Sequence, residues 1–346
     1  MVPLLLAALS AADWSTEGPT PESFVREGAQ WEITGRGSYP NWIRSAREYE
    51  NVRLTFEYKL AQWSEAAVVL RAPKWGRPMR AGVAITLAHD FHKKTGRYVT
   101  GAVSGVKPPL RLLSESWGAW KKVHIVLEGA RLRVTIDGEL IQETLVERGG
   151  PGYVLFPDLG HRYWVRNIAM DDRGGSTRVE RPFAGERQKR GTSGEWTEAD
   201  GVLRGADGHS ILYATPEYGD FRLQLYVRSH GRVNAGVFLR GSARLNQPRG
   251  FEVQIYSPPD AVYPTGSIYN HVRSDVEVDY EERWFWLEVL VRGLSCEVSV
   301  DGRVVARTAR LPEDVAARGQ IGLQIHSDVG AVEFSEVRVM ELPGTR

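Results

Sequence analysis

Residues 120–138 read WKKVHIVLEGARLRVTIDG and residues 284–302 read WFWLEVLVRGLSCEVSVDG, and the two stretches align without a gap. A second pair agrees: YENVRLTFEY at residues 49–58 matches YGDFRLQLYV at residues 218–227. Similar segments that recur in the same order along one chain indicate two copies of one domain. Hydrophobic positions that agree between the copies are those that the fold requires. Polar residues that differ between the copies are candidates for function.

Short segments with alternating apolar residues fill both copies, and turns rich in Gly, Pro and Asp separate them. In RLRVTIDGELI and CEVSVDGRVVA, the pairs Asp137-Gly138 and Asp301-Gly302 are placed as hairpin tips. Long helical periodicity is missing. The chain is therefore predicted to be all-β, with two tandem jelly-roll β-sandwich domains.

The predicted domains are residues 13–170 and 195–346, with a linker at residues 171–194. The linker is rich in Gly, Ser and charged residues, so its basic residues, including Arg190, are interpreted as part of a solvated connector. Residues 1–12 have the length and apolar character of a signal peptide, although they lack Lys and Arg. We expect a secreted or periplasmic protein, with a cytoplasmic one as the alternative.

The overall charge argues against a polyanionic partner. Lys and Arg together number 44 against 43 for Asp and Glu, so the formal charge is +1 and no strong positive field exists. Nucleic acid is not expected as a partner, and neither is a membrane, because no segment is apolar enough to span one. The single cysteine, Cys296, alternates with core positions and is predicted to be a buried packing residue. The sequence leaves the oligomeric state open.

Three segments of the second copy carry polar residues that alternate with apolar ones: NAGVFLRG, GFEVQIY and GQIGLQIH. Successive side chains of a strand point to opposite faces, so the polar residues of each segment share one face. If these strands are neighbours in a curved sheet, the hollow side collects Arg240, Glu252, Gln254, Gln324 and His326. These side chains form a polar surface of the size of a sugar.

The first copy keeps the framework but loses most of this polar set. Aligned with Glu252, Gln254, Gln324 and His326 are Ala84, Thr86, Leu155 and Pro157, and only Arg71 still matches Arg240. A purely structural role gives no reason for so complete a difference, although a contact made by one copy alone could produce it. The polar surface is therefore predicted to be functional.

At these segments the second copy resembles the 3-keto-disaccharide hydrolase domain, a concanavalin A-like jelly roll once catalogued as a domain of unknown function. The similar segments follow the family's order within residues 195–342: NAGVFLRG, GFEVQIY, TGSIY, ERWFWLEVLVRG, VDG, GQIGLQIH and VEFSEVRV. The first copy resembles the family only in its framework. Ala235 stands where the family usually has Ser, and WFW replaces its usual Trp-Asn.

The resemblance implies cleavage of 3-keto-glycosides. A ketone at C3 acidifies the C2 hydrogen, so the reaction needs one base, donors for an oxyanion and an acid for the leaving group. We expect Glu252 and His326 to be base and acid, in either order. We further expect Arg240, Gln254 and Gln324 to bind hydroxyl groups or the enolate, and Tyr269 to line the rim of the site. Ordinary glycosidases need two carboxylates, whereas this surface offers only Glu252.

Other interpretations of the same residues stay open. His326 could be bonded to a backbone carbonyl, Glu252 could pair with Arg240, and the two glutamines could form a side-chain ladder. The protein could be a non-catalytic carbohydrate-binding module, or an ordinary glycoside hydrolase with a second acid on a loop, such as Asp260 or Asp275.

No cofactor is predicted. Glu252 and His326 could both bind a divalent metal, but two ligands do not make a metal motif. Eight of the eleven tryptophans lie in the first copy, so that copy is either a sugar-binding module or a degenerate partner that shapes the neighbouring site.

Overall fold

The computed structural model describes residues 13–37, 39–89, 96–113, 117–244, 250–276 and 279–343. Strands make up 56% of the chain and helices 4%, which confirms the all-β prediction of two tandem jelly-roll sandwiches. The described residues divide into two compact units, 13–74 with 78–177 and 75–77 with 178–343. The predicted signal peptide, residues 1–12, lies outside the described residues.

The first unit contains two antiparallel sheets. Its strands are β1 (Trp14–Glu17), β2 (Phe24–Glu27), β3 (Gln30–Ile33), β4 (Asn41–Ser45), β5 (Val52–Leu60), β6 (Glu65–Ala72), β7 (Val83–Ala88), β8 (Lys121–Glu128), β9 (Arg131–Ile136), β10 (Glu139–Leu145), β11 (Tyr153–Asp158) and β12 (Tyr163–Asp172). One sheet has the order β1-β4-β11-β6-β7 and the other β10-β9-β8-β5-β12-β3-β2. The helical elements are a turn at Pro21–Ser23 and α1 (Pro78–Ala81), and no described helix is long and apolar enough to cross a membrane.

The second unit contains one ten-stranded sheet with two long strands, β15 and β22. Its strands are β13 (Arg187–Arg190), β14 (Glu195–Ala199), β15 (Val202–Tyr218), β16 (Phe221–His230), β17 (Ala235–Gly241), β18 (Phe251–Ile255), β19 (Phe285–Arg292), β20 (Ser295–Val300), β21 (Arg303–Thr308) and β22 (Gly319–Glu341). The first part of β22 pairs with β17, and its last part pairs with β16. One long strand therefore serves both layers of the sandwich.

The alternation of apolar residues produces the buried cores. Along β5, every second residue from Val52 to Leu60 is buried and the residues between them are partly exposed, because side chains alternate across a strand. In the second unit, Cys296 is 1% exposed and lies in the core, as predicted. Burial raises the pKa of its thiol to about 12, which keeps it protonated and unreactive.

Part of the predicted linker belongs to the second unit. Phe183, in a helical turn at Pro182–Ala184, is 5% exposed and packs into the core of that unit. Strand β13 pairs antiparallel with β15. The interpretation of Arg190 as part of a solvated connector is wrong, because this residue ends a paired strand. The domain boundaries themselves stay predictions.

A pair of fragments tests where the second domain begins. We expect residues 178–346 to give a β-rich product that melts cooperatively. Residues 195–346 should be less stable by about 3 kcal/mol or more, because they lose a buried phenylalanine and the ladder of β13. Urea unfolding followed by circular dichroism measures the difference. Equal stability of the two fragments would show that Phe183 and β13 contribute nothing to the fold.

Candidate functional site

One face of the second unit's sheet carries the predicted polar residues. The strands of this sheet region lie in the order β13-β15-β22-β17-β18. Residues paired across neighbouring strands point to the same side. The registers give three rows, which we call the polar face: Tyr213, Gly322, Phe238 and Glu252; Arg190, Ile211, Gln324, Gly236 and Gln254; and His209, His326 and Asn234. Four of the predicted site residues, Glu252, Gln254, Gln324 and His326, thus come together.

Glycine at position 236 makes room for the carboxyl group of Glu252. Gly236 lies between Gln324 and Gln254 in the middle row. A Cβ atom at this position would come within 2.2 Å of Oε1 of Glu252. The carboxyl group therefore leans from its own row over the middle row, and any larger residue at position 236 would displace it.

The surroundings of Glu252 change its acidity. The residue is only partly exposed, and burial raises the pKa of its carboxyl group to about 7. Loss of hydration disfavours the charged form of a carboxyl group. At neutral pH both forms are therefore present, which suits a group that takes up and releases a proton.

His326 lies at the exposed end of the polar face. Its ring meets the ring of His209 edge-on, with centroids 4.4 Å apart, and His209 Nε2 lies 3.3 Å from Asp328 Oδ1. Burial and the nearby His209 lower the pKa of His326, although Asp328 acts in the opposite direction. The imidazole of His326 is therefore mostly neutral at pH 7.

Glu252 and His326 lie on different strands and in different rows of the polar face. Gly236, over which the carboxyl group leans, is one strand and two residues away from His326. This step corresponds to about 8 Å between the Cα atoms of Gly236 and His326.

A cleft of about 440 Å³ opens beside Gln254. Its volume lies within the range of ligand pockets, roughly 300–1,000 Å³. Tyr269, predicted at the rim, is 44% exposed and its ring lies edge-on to Tyr263 at 5.4 Å. The lining residues are Asn234, Gln254, Tyr256, Asp260, Ala261, Val262, Tyr263 and Tyr269. Aromatic faces and amide groups of this kind can hold a carbohydrate.

The two loop acids considered from the sequence have different surroundings. Asp260 is exposed and lines the cleft. Asp275 forms an ion pair with Arg303 at 2.9 Å and is not a lining residue. Only Asp260 is positioned to act beside Gln254.

Arg240 does not lie on the polar face, contrary to the prediction. Its backbone is left-handed, with φ of 53°, and the pairing register shifts between Phe238 and Gly241. A bulge with a left-handed residue interrupts the alternation of side chains. Arg240 therefore turns away from the face and is only 2% exposed.

The guanidinium group of Arg240 is bonded to structural partners. It donates to the carbonyl oxygens of Gly219 at 2.9 Å and Gly293 at 2.8 Å. It also lies 3.3 Å from Oδ1 of Asp220, which forms its ion pair. The pairing with Glu252 considered from the sequence is therefore wrong, and so is a role for Arg240 in binding substrate.

Arg71 makes the same contacts in the first unit. Its φ is 47°, and its guanidinium donates to the carbonyl oxygens of Glu50 at 2.8 Å and Gly129 at 2.6 Å. Asn51 Oδ1 lies 3.4 Å from Nη2, in the place of the carboxylate of the second unit. The agreement explains why Arg71 and Arg240 match in sequence: each bonds to two segments of its sandwich that are far apart in the chain.

Arg190 and Tyr213 are among the residues of the polar face that the sequence did not predict there. Arg190 lies in the middle row, and its Nη1 donates to the carbonyl oxygen of Ser242 at 3.3 Å. Tyr213 lies in the first row and is fully buried. The alternation from His209 to Tyr213 could have identified the tyrosine, whereas Arg190 becomes visible only through the pairing of β13.

In the first unit apolar side chains occupy the positions of Glu252 and Gln324. Their counterparts, Ala84 and Leu155, are 3% and 0% exposed. They belong to a cluster with Trp42, Val69 and Ala72, against which Tyr39 and Met79 pack. Arg44, opposite Leu155 on the same face, is 8% exposed and forms an ion pair with Glu17 at 2.6 Å. A sugar-binding role of the first unit stays a prediction.

No metal centre is built from the described residues. Among them, no group of three or more His, Cys, Asp or Glu side chains is arranged to hold a metal ion.

Comparison with known domain families identifies both units. Residues 8–171 and residues 183–340 each match the 3-keto-alpha-glucoside-1,2-lyase-like domain. These two regions cover most of the chain, so the protein belongs to this family and carries two tandem copies of its domain. The predicted resemblance is confirmed, and membership supports a function related to carbohydrates.

Similar solved structures have low sequence identity. A putative glycosyl hydrolase from Parabacteroides distasonis ATCC 8503 is 21% identical, covers 42% of this chain and 90% of its own, and has a TM-score of 0.39. The carbohydrate-binding module CBM66 from Bacillus subtilis is 16% identical, with coverages of 43% and 92% and a TM-score of 0.31. Among curated proteins, none matches this chain.

Replacing Arg71 or Arg240 tests the structural role of each arginine. Arg240→Ala should destabilise the second unit by about 3 kcal/mol, because two carbonyl groups lose their donor and the partly exposed carboxylate of Asp220 loses its ion pair. Arg71→Ala should destabilise the first unit, although less, since Asn51 carries no charge. Urea unfolding measures both. A fully stable Arg240→Ala protein with weakened sugar binding would instead show that Arg240 takes part in binding substrate.

The raised pKa of Glu252 predicts a pH-dependent stability. Because the folded-state pKa exceeds the ordinary value of 4.5, wild-type stability falls as pH rises from 4.5 through 7. Glu252→Gln removes this titration, so the variant should match the wild type at pH 4. At pH 8 it should be the more stable protein, by up to about 3 kcal/mol.

Glu333→Gln provides a control of opposite sign. Burial raises the pKa of Glu333, but hydrogen bonds with Arg228 and His230 outweigh burial and lower it. This variant should therefore be less stable than the wild type at pH 8. Chemical unfolding at both pH values measures all three proteins, and a Glu252→Gln protein that loses stability at pH 8 would contradict the raised pKa.

Proposed function

We propose that the second unit cleaves 3-keto-glycosides by removing the C2 proton and eliminating the C1 oxygen, with later addition of water. Family membership supports this substrate class, since the family is described by lyases of 3-keto-alpha-glucosides. The observation that carries the proposal is the partly buried Glu252, whose pKa of about 7 makes it a stronger base than an ordinary carboxylate.

The proposed chemistry has two stages. The base takes the C2 proton, the electron pair of the C–H bond forms a C2=C3 bond, and the carbonyl electron pair moves to O3. When the C3 carbonyl forms again, the C1–O bond breaks, a C1=C2 bond forms and the leaving oxygen takes up the proton that Glu252 removed from C2. Water added across C1=C2 gives the net hydrolysis product.

The polar face supplies candidates for each role. Glu252 acts as the base, because its carboxylate is poised near neutral pH, and the imidazole of His326 assists the leaving oxygen. Gln254 and Gln324 hold hydroxyl groups on either side of Gly236, and Tyr269 contacts the part of the substrate that enters the cleft. The reverse assignment, with His326 as base and Glu252 as acid, predicts a different pH profile.

A second candidate function is ordinary glycoside hydrolysis. It is favoured by Asp260, an exposed carboxylate in the cleft beside the strand that carries Glu252. Such enzymes place two carboxyl groups on either side of the glycosidic bond. A third candidate, carbohydrate binding without catalysis, would use the same cleft and its exposed tyrosine.

One set of substrates separates these candidates. The protein is incubated with a 3-keto-glucoside and with the corresponding unoxidised glucoside, and the released sugar is measured. Turnover of the oxidised form alone supports the proposed function. Turnover of both forms supports ordinary hydrolysis, and binding without turnover of either supports a carbohydrate-binding module.

Single substitutions test the acid–base assignment. Glu252→Gln and His326→Ala should each lower turnover of a 3-keto-glucoside by about 10²- to 10⁴-fold. In the wild type, kcat/KM should rise with pH through about 7, the pKa of Glu252, and this limb should vanish in Glu252→Gln. A rate that falls through pH 7 would instead make Glu252 the acid.

Thr86→Ala in the first unit is the matched control, because Thr86 aligns with Gln254 but lies beside an apolar cluster. Its turnover should equal that of the wild type. Melting temperatures are recorded for every variant. Near-wild-type rates in both polar-face variants would overturn the catalytic assignment.

A further inference from the structure

One end of the cleft beside Gln254 adjoins Glu252. Tyr269, at the rim, lies opposite Glu252 along β18: its backbone N donates to Glu252 O at 2.9 Å, and the next pair, Val253 and Ile268, forms an antiparallel bridge. Residues paired in this way point to the same side of a sheet, with Cβ atoms about 5 Å apart. Tyr269 therefore extends the first row of the polar face past Glu252.

The other end of the cleft adjoins His326. Asn234, which lines the cleft, accepts a hydrogen bond from the backbone N of His326 at 2.9 Å through its carbonyl oxygen. Gln254, between the two ends, lies in the middle row beside Gly236. A group bound in the cleft would thus neighbour both members of the proposed acid–base pair.

The proposed reaction determines which part of a substrate occupies this position. C1 and C2 of a sugar are bonded to each other, so the group that leaves from C1 starts one bond away from the carbon that loses its proton to Glu252. A substituent on C1 therefore begins next to the carboxyl group. The adjoining cleft, with a volume of about 440 Å³, has room for it.

The side chains at the mouth of the cleft favour a ligand with a flat apolar face. Tyr269 is 44% exposed and Val262 72% exposed, and the ring of Tyr263 supports that of Tyr269 edge-on at 5.4 Å. Contact between such groups and an apolar face of a ligand removes both from water. An aromatic ring presents such a face, and so does the C–H side of a sugar ring.

Buried hydroxyl groups hold the segment that carries these side chains. Thr265, Ser267 and Ser274 are at most 2% exposed. Ser267 Oγ donates to Pro264 O at 2.6 Å, Ser274 Oγ donates to Thr265 O at 2.8 Å, and Thr265 Oγ1 accepts from the backbone N of Tyr256 at 3.0 Å. The cleft is therefore formed before a ligand arrives, which lowers the entropy lost on binding.

We propose that the cleft is the leaving-group subsite of the second unit, and that it selects 3-keto-glycosides whose leaving group carries a ring that stacks on Tyr269. This inference rests on the proposed function and adds a second determinant of specificity to it. The oxidised sugar lies over the polar face, and the ring of the leaving group lies in the cleft. A small leaving group such as methanol makes no contact with Tyr269.

Three substrates test the selection. Methyl and benzyl 3-keto-glucosides release alcohols of similar acidity, so their C1–O bonds break with similar ease and binding in the cleft decides the difference. The kcat/KM for the benzyl glycoside should exceed that for the methyl glycoside about 10-fold. A 3-keto-disaccharide is the third substrate: a preference for it alone identifies a second sugar as the natural ring, and a preference for the benzyl glycoside identifies an aromatic one. Equal kcat/KM for all three overturns the proposal.

Variants of Tyr269 test the contact itself. Tyr269→Ala should bring the ratio of kcat/KM between ring-bearing and methyl substrates close to one, and Tyr269→Phe should keep the wild-type ratio because it keeps the ring. Tyr98→Ala is the control, since Tyr98 is a 64% exposed tyrosine of the first unit. A ratio within one variant is independent of its folded fraction. A wild-type ratio in Tyr269→Ala overturns the role of Tyr269.

Binding measurements separate this proposal from the function on which it rests. Calorimetry gives the Kd of the same three compounds for Glu252→Gln, with and without Tyr269→Ala. A ring preference of about 10-fold that depends on Tyr269 supports the subsite, even if the wild type cleaves none of the compounds, a result that overturns the proposed function alone. Cleavage without any ring preference overturns the subsite alone.

Discussion

Each unit depends on one buried arginine with a left-handed backbone. Arg71 and Arg240 interrupt the alternation of side chains at equivalent positions of their strands. Each guanidinium group points away from the polar face or its counterpart. There each group bonds to carbonyl oxygens of chain segments far apart in sequence. A guanidinium group offers five fixed donors, which is why one side chain can join several segments that would otherwise leave buried carbonyl groups unpaired.

Because these arginine contacts stabilise the framework of each unit, the polar face and its counterpart in the first unit can differ in their side chains. The counterpart carries an apolar cluster that includes Ala84 and Leu155. In the second unit the same positions carry Glu252 and Gln324, and Gly236 leaves space between strands for the carboxyl group. An apolar cluster stabilises by excluding water, whereas a half-buried carboxyl group destabilises its own charged form. The second unit thus gives up stability where the first unit gains it.

A face that lowers the stability of its domain is informative about function. The charged form of Glu252 is less favourable for folding than glutamine would be at this position, since its carboxyl group is partly buried. A partly buried carboxyl group whose pKa is raised toward neutrality is a common feature of sites that transfer protons.

The sequence by itself determined the repeat, the all-β class and the alternation that places Glu252, Gln254, Gln324 and His326 on one face, because a period of two is a local property of strands. It also yielded the family. It misplaced Arg240, since alternation fails at a left-handed residue and nothing in NAGVFLRG marks that conformation. It also missed Arg190, whose place on the face follows from the pairing of β13 with a strand distant in sequence. Only the tertiary structure decided these positions, because register and burial depend on segments that meet after the chain has folded.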